Sequence, residues 1–248
     1  MTPTPTEAPT PVKAQPTAVK LMKASTLPAE DAVVTVSESP VGVHVGIWYP
    51  DEYEKGTRRH LHLAFHLHLQ NESAHPGEAL WVVPTLDELA LADVRRSAML
   101  IARKHADGRV PYAFRSADAL FAEGGVLQLN QSLGLTCATF LNLVFAHAGV
   151  TLLDVATWDG ASAERQEEDK MAQELLVGYL RQMKGTNGHA DLVEKEIGCM
   201  RIRAEEVAAA SGLTGHPLPF AVVEPEGRRI LAIVRSFIAR EVKTTAEA

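Results

Sequence analysis

The residue pattern predicts an α+β protein. Three observations carry the prediction: short apolar runs of strand character come first, helical periodicities follow, and the most apolar helix lies between those two regions and a helix-rich remainder. Apolar residues make up 46% of the 248 and charged residues 22%, enough to bury a sizeable core.

The amino terminus, MTPTPTEAPTPVKAQPTAV, repeats Pro and Thr with few apolar groups. Such a segment buries too little surface to offset its ordering entropy, so residues 1–28 are expected to form a disordered tail. It has neither the charged nor the apolar region of a secretory signal. DAVVTV, from Asp31, predicts a first strand, and VGVHVGIWY, residues 41–49, a second. PDEYEKGTRR reads as a polar hairpin loop. HLHLAFHLHL, His60 to Leu69, alternates strictly and predicts one continuous strand, with His60, His62, Ala64, His66 and His68 on one face. ALWVVP, residues 79–84, predicts a further short strand.

Thr85 and Glu88 have capping-box spacing at the head of a helix running to about His105, where Asp107-Gly108 stops it. SADALFAEGG, from Ser116, predicts a shorter helix ended by glycine. TCATFLNLVFAHAG predicts a strongly apolar helix that Thr136 caps and Gly149 ends. Ser162 to Lys184 predicts a long charged helix, and another is expected near Arg203 to Ser211. PFAVV and RILAIV read either as a hairpin around Pro225-Glu226-Gly227 or, for the second segment, as a helix.

The net charge of −7 argues against general nucleic-acid binding, because nothing would neutralise a run of phosphates. No apolar stretch approaches the roughly 18 residues of a membrane span. Two cysteines, Cys137 and Cys199, are expected to be free thiols in a reducing cytoplasm. Cys137 falls at the start of its helix, where the macrodipole and unpaired backbone N–H groups stabilise a thiolate. The glycine of Gly134-Leu135-Thr136-Cys137 allows a tight approach there. Cys199 lacks such a setting and reads as structural.

VHVGIWY followed by GLTCATFLNLVF resembles the papain-like superfamily in its NlpC/P60-like, circularly permuted branch, the lecithin:retinol acyltransferase-like one. In that branch a base-bearing HVGIY strand precedes the cysteine helix, and here His44 precedes Cys137 by 93 residues. The resemblance implies an antiparallel sheet packed on a nucleophile helix over residues 29–160, with a helix-rich extension over 161–248. It implies Cys137 as nucleophile and His44 as base, with His66 as the competing base. A polar residue that orients the base belongs on the next strand, where His60, His62 and His66 compete. Tyr112 and Gln131 are candidate substrate-binding residues upstream of the cysteine helix. The implied activity is acyl transfer through a thioester on Cys137, hydrolysing an amide or peptide bond of a peptide-like or acyl substrate, with no cofactor. Two other readings stay open: an interaction module without catalysis on the same fold, and a metal-dependent hydrolase using the histidines between His60 and His68.

Overall fold

A computed structural model describes residues 19–21, 32–39, 42–73, 80–116 and 118–246. The chain is α+β. Six strands form one sheet: β1 (Val19–Leu21), β2 (Val33–Ser39), β3 (Gly42–Pro50), β4 (Arg58–Phe65), β5 (His68–Glu72) and β6 (Leu80–Val82). Their spatial order is β1-β6-β2-β3-β4-β5, every pair antiparallel. β2 to β5 are a meander, and β6 returns to the far side of β2. Of the expected tail, Val19–Leu21 pair with β6, and the rest of residues 1–28 lie outside the described residues.

Alternation assigns the side chains to the two faces of the sheet. Val34, Val36, Val43, Val45, Ile47, Leu61 and Leu63 join one core with helices α1 (Glu88–Lys104) and α2 (Cys137–His147). Thr35, His44, Gly46, Trp48, His60 and His62 occupy the other register positions. The hairpin 51–57 is polar as expected, with Arg59 bound to Asp51 and Glu54.

Several expected elements are corrected. His60 to Leu69 is not one strand: it bulges between Leu63 and Phe65, then turns at His66-Leu67 with Leu67 at φ 55°. The turn is held from outside, since Leu67 and Leu69 N–H donate to the carbonyls of Val110 and Gly108. Asp87, not Thr85, caps α1, its Oδ1 accepting from Ala90 N–H at 2.8 Å. Thr85 instead donates its hydroxyl to Gly212 O. The segment after Ser116 is not a helix but a hairpin, β7 (Leu120–Ala122) and β8 (Val126–Gln128). Gly124 and Gly125 take φ 80° and 75° at its turn, a conformation glycine adopts without steric cost.

The remainder comprises β9 (Leu153–Asp154), a 3-10 segment Val155–Gly160, α3 (Ala163–Gln182), α4 (Asn187–Glu194), α5 (Ala204–Ser211), β10 (Leu218–Pro219) and α6 (Phe220–Ala246). Ser162 caps α3, and Gly185 follows it at φ 84°. No hairpin forms around Pro225-Glu226-Gly227; all three lie within α6. Gly227 is there because α6 crosses α5 closely: a Cβ at this position would stand 3.1 Å from Glu206 Cγ. Val207, Leu213, Val223, Ile230 and Val234 share the core of the sheet valines, so the boundary expected at residue 160 is not a break in packing. Among the described residues no helix is long and apolar enough to cross a membrane.

Candidate active site

Cys137 is the first residue of α2, and its position is built locally. Thr136 Oγ1 accepts Thr139 N–H at 3.1 Å, while Thr139 Oγ1 accepts Thr136 N–H at 2.8 Å, a capping box with threonine at both ends. Upstream, Leu135 N–H donates to Pro111 O at 2.9 Å. At Gly134 a Cβ would lie 2.3 Å from Pro111 O, so only glycine lets the two segments meet. That contact brings Tyr112 beside the cysteine.

Pairing between β3 and β4 ends at Ile47–Leu61. Beyond it lies a cavity of about 420 Å³, lined by Val43 and His44 from one strand and Leu63, Ala64 and Phe65 from the other. Tyr112, Thr136, Cys137 and Arg201 line the same cavity, and Leu176, Tyr179 and Met183 of the α3 end complete it.

His44 Nε2 lies 2.8 Å from His62 Nδ1, so of His60, His62 and His66 it is His62 that is joined to His44. The chain of rings continues: His62 stacks on His60 with centroids 4.4 Å apart, and His60 Nε2 is 2.8 Å from Thr35 Oγ1. Gly46 makes room for this row, because a Cβ there would meet His60 Nε2 at 2.6 Å and His62 Cβ at 2.8 Å. No hydrogen bond joins the Cys137 sulfur to a histidine among the described residues. The amides of Val45 and Ala138 donate toward it instead.

Burial sets the protonation states. It pushes the Cys137 thiol above its ordinary pKa, against the lowering effect of those amides and of the Arg201 guanidinium. It also lowers His44 to about 4, and His62 to about 4 with the neighbouring His44 as a further cause. At neutral pH Cys137 therefore rests as a thiol, and His44 and His62 as neutral imidazoles. Burial raises the Tyr112 phenol well above its usual value.

The competing base His66 is drawn away from this cavity by the β4–β5 turn. Its Nδ1 accepts the Tyr112 N–H at 3.1 Å, and burial lowers its pKa to about 4. His189 Nε2 donates to Tyr112 O at 2.7 Å, so two histidines clamp the backbone of one tyrosine. Gln131 is exposed and does not line the cavity; the loop before Cys137 points it outward. Tyr112 does line it. His60 and His62 face the β3 side while His66 and His68 diverge around the turn, and among the described residues no three His, Cys, Asp or Glu side chains converge as metal ligands.

Sequence reasoning missed Arg201 and Glu205. Both precede or open α5, beyond the boundary expected at residue 160, and nothing in MRIRAEEV distinguishes a site arginine from a helix-flanking charge. Glu205 is buried, and that burial raises its pKa.

These features define a class: an α+β protein whose helix-start cysteine shares a largely apolar cavity with one member of a hydrogen-bonded histidine pair. No family model, curated protein or solved structure matches the chain.

Proposed function

We propose that the chain is a cysteine-dependent acyl-transfer enzyme of the papain-like, circularly permuted kind, hydrolysing an amide bond through a thioester on Cys137. The observation that supports this best is that His44, hydrogen-bonded to His62, lines the same cavity as the helix-start Cys137. When His44 Nε2–H donates to His62 Nδ1, His44 Nδ1 keeps its lone pair and is the nitrogen left to take a proton. His62 then fixes the tautomer and stabilises the imidazolium, as an orienting group must.

Sγ adds to the substrate carbonyl carbon while His44 Nδ1 takes the thiol proton. The oxyanion meets the Cys137 N–H at the head of α2, where the macrodipole favours negative charge, since Thr139 N–H is already taken by the Thr136 cap. The C–N bond breaks, the amine leaves with the proton from His44, and the acyl group stays on sulfur. Water then adds to the thioester, giving its proton to His44. Collapse releases the acid, and the thiolate recovers the proton.

Intact-mass analysis after p-nitrophenyl octanoate treatment tests the reading. One octanoyl group is expected on Cys137 and none on Cys137→Ala, with His44→Ala slowing acylation by about 100-fold or more. Equal labelling of Cys199 and indifference to His44→Ala would overturn it.

A further inference from the structure

Arg201 lines the Cys137 cavity with much of its hydrogen-bonding capacity unspent. Its side chain is 15% exposed, and Nε is buried with no acceptor. The one ion pair it makes among the described residues is long, 3.7 Å from Nη1 to Asp169 Oδ1. Asp169 is already engaged by Arg203 at 2.8 Å. A guanidinium carries five N–H donors, and leaving buried donors unspent is costly. Yet its charge reaches Cys137 and Tyr112.

Arg201 also joins two spaces. It lines the Cys137 cavity and a second, adjacent one of about 470 Å³, and Val43 lines both. The two differ in chemistry. The first presents Leu63, Phe65, Leu176, Tyr179, Met183 and Ile202. The second carries four arginines, of which Arg203 is spent on Glu168 and Arg228 on Glu224. Arg201 and Arg235 keep their donors, and Arg235 makes no ion pair among the described residues. Glu205, the other carboxyl there, is buried with a raised pKa, which reduces the negative charge it sets against an anion.

We infer that the substrate is an amphipathic acyl compound with an apolar group in the Cys137 cavity and an anionic group, carboxylate or phosphate, held by Arg201 and Arg235. This deepens the acyl-transfer reading and rests on it. A planar guanidinium binds either anion in bidentate fashion. An anion close to the scissile carbonyl would give the enzyme a preference that the apolar cavity alone does not supply.

Calorimetric titration of the full chain carrying Cys137→Ala separates binding from turnover. The probes are N-octanoylglycine, octyl phosphate and the neutral N-octanoylglycinamide. At least one anionic probe should bind tenfold or more tighter than the neutral one, and the tighter of the two identifies the anion. Arg201→Gln should bring the anionic probe down to parity. Arg235→Gln, at an exposed position, should weaken it severalfold. Equal affinity for charged and neutral probes overturns the inference, as does a preference that survives both arginine substitutions. Acylation of wild type by the nitrophenyl ester without any anion preference leaves the enzymatic reading standing and removes this one. Anion preference without acylation removes the enzymatic reading and keeps the anion site.

Discussion

At the scale of residues, the site depends on which nitrogen of His44 is occupied. His62 takes Nε2, so a substitution at His62 acts on the orientation and tautomer of the proposed base, His44, without touching the proposed nucleophile. His62→Ala is expected to lower kcat by about 10- to 100-fold while acylation still occurs on Cys137. His62→Asn should restore much of the loss, because an amide oxygen accepts the same N–H. Rates from the nitrophenyl ester across the three proteins check this. Identical losses in the alanine and asparagine variants would mean that His62 supports packing only. The alternative orienting residues could not be told apart from sequence, since His60, His62 and His66 share chemistry and lie within one run. What separates them is that His62 Nδ1 lies 2.8 Å from His44 Nε2, while His60 is held by Thr35 and His66 is carried off by a turn.

At the scale of elements, Gly134 sets how α2 meets the segment bearing Tyr112. Gly134→Ala puts a methyl 2.3 Å from a backbone carbonyl that has no rotamer to yield. It should cost about 1–3 kcal/mol in chemical denaturation, as overpacking typically does, and slow acylation by shifting the start of α2. An unchanged midpoint would show that the two segments separate freely. The cysteine helix was legible in sequence because its punctuation is local: Thr136 before it, Gly149 after it, and an apolar run between. Leu120–Gln128 was not, because Ala, Leu and Glu favour a helix in isolation while the Gly124-Gly125 turn and neighbouring packing select a hairpin. The His66-Leu67 turn carried no signal, since Leu67, the residue at φ 55°, does not favour that conformation; backbone bonds to Gly108 and Val110 hold it. Arg201 escaped notice because it enters the cavity from a segment expected to be an appendage.

At the scale of the whole molecule, that segment is bound into the fold by charge as well as by packing. Arg165 of α3 is buried against Glu206 of α5, and Arg203 joins Glu168 and Asp169 across the same interface. The walls of the two cavities thus come from both halves of the chain, and conditions that loosen the fold should open the site with it. Acid is the condition singled out by the buried imidazoles. His44, His62 and His66 are held near pKa 4, below the ordinary 6.5 that they regain on unfolding. Between those values the unfolded chain binds more protons, so stability rises with pH through that window. The contribution is fully present above about 6.5 and is lost as the pH falls to about 4. Each imidazole adds up to about 1.4 kcal/mol per pH unit to the slope. Urea midpoints measured from pH 4 to 8 should therefore fall on the acid side and level off above neutrality. His66→Asn keeps an acceptor for Tyr112 N–H but cannot titrate, so its midpoint should depend less steeply on pH while remaining close to wild type at pH 8. A slope unaltered by that substitution would mean that His66 titrates alike in the folded and unfolded chains, and that the clamp on Tyr112 tolerates its protonation.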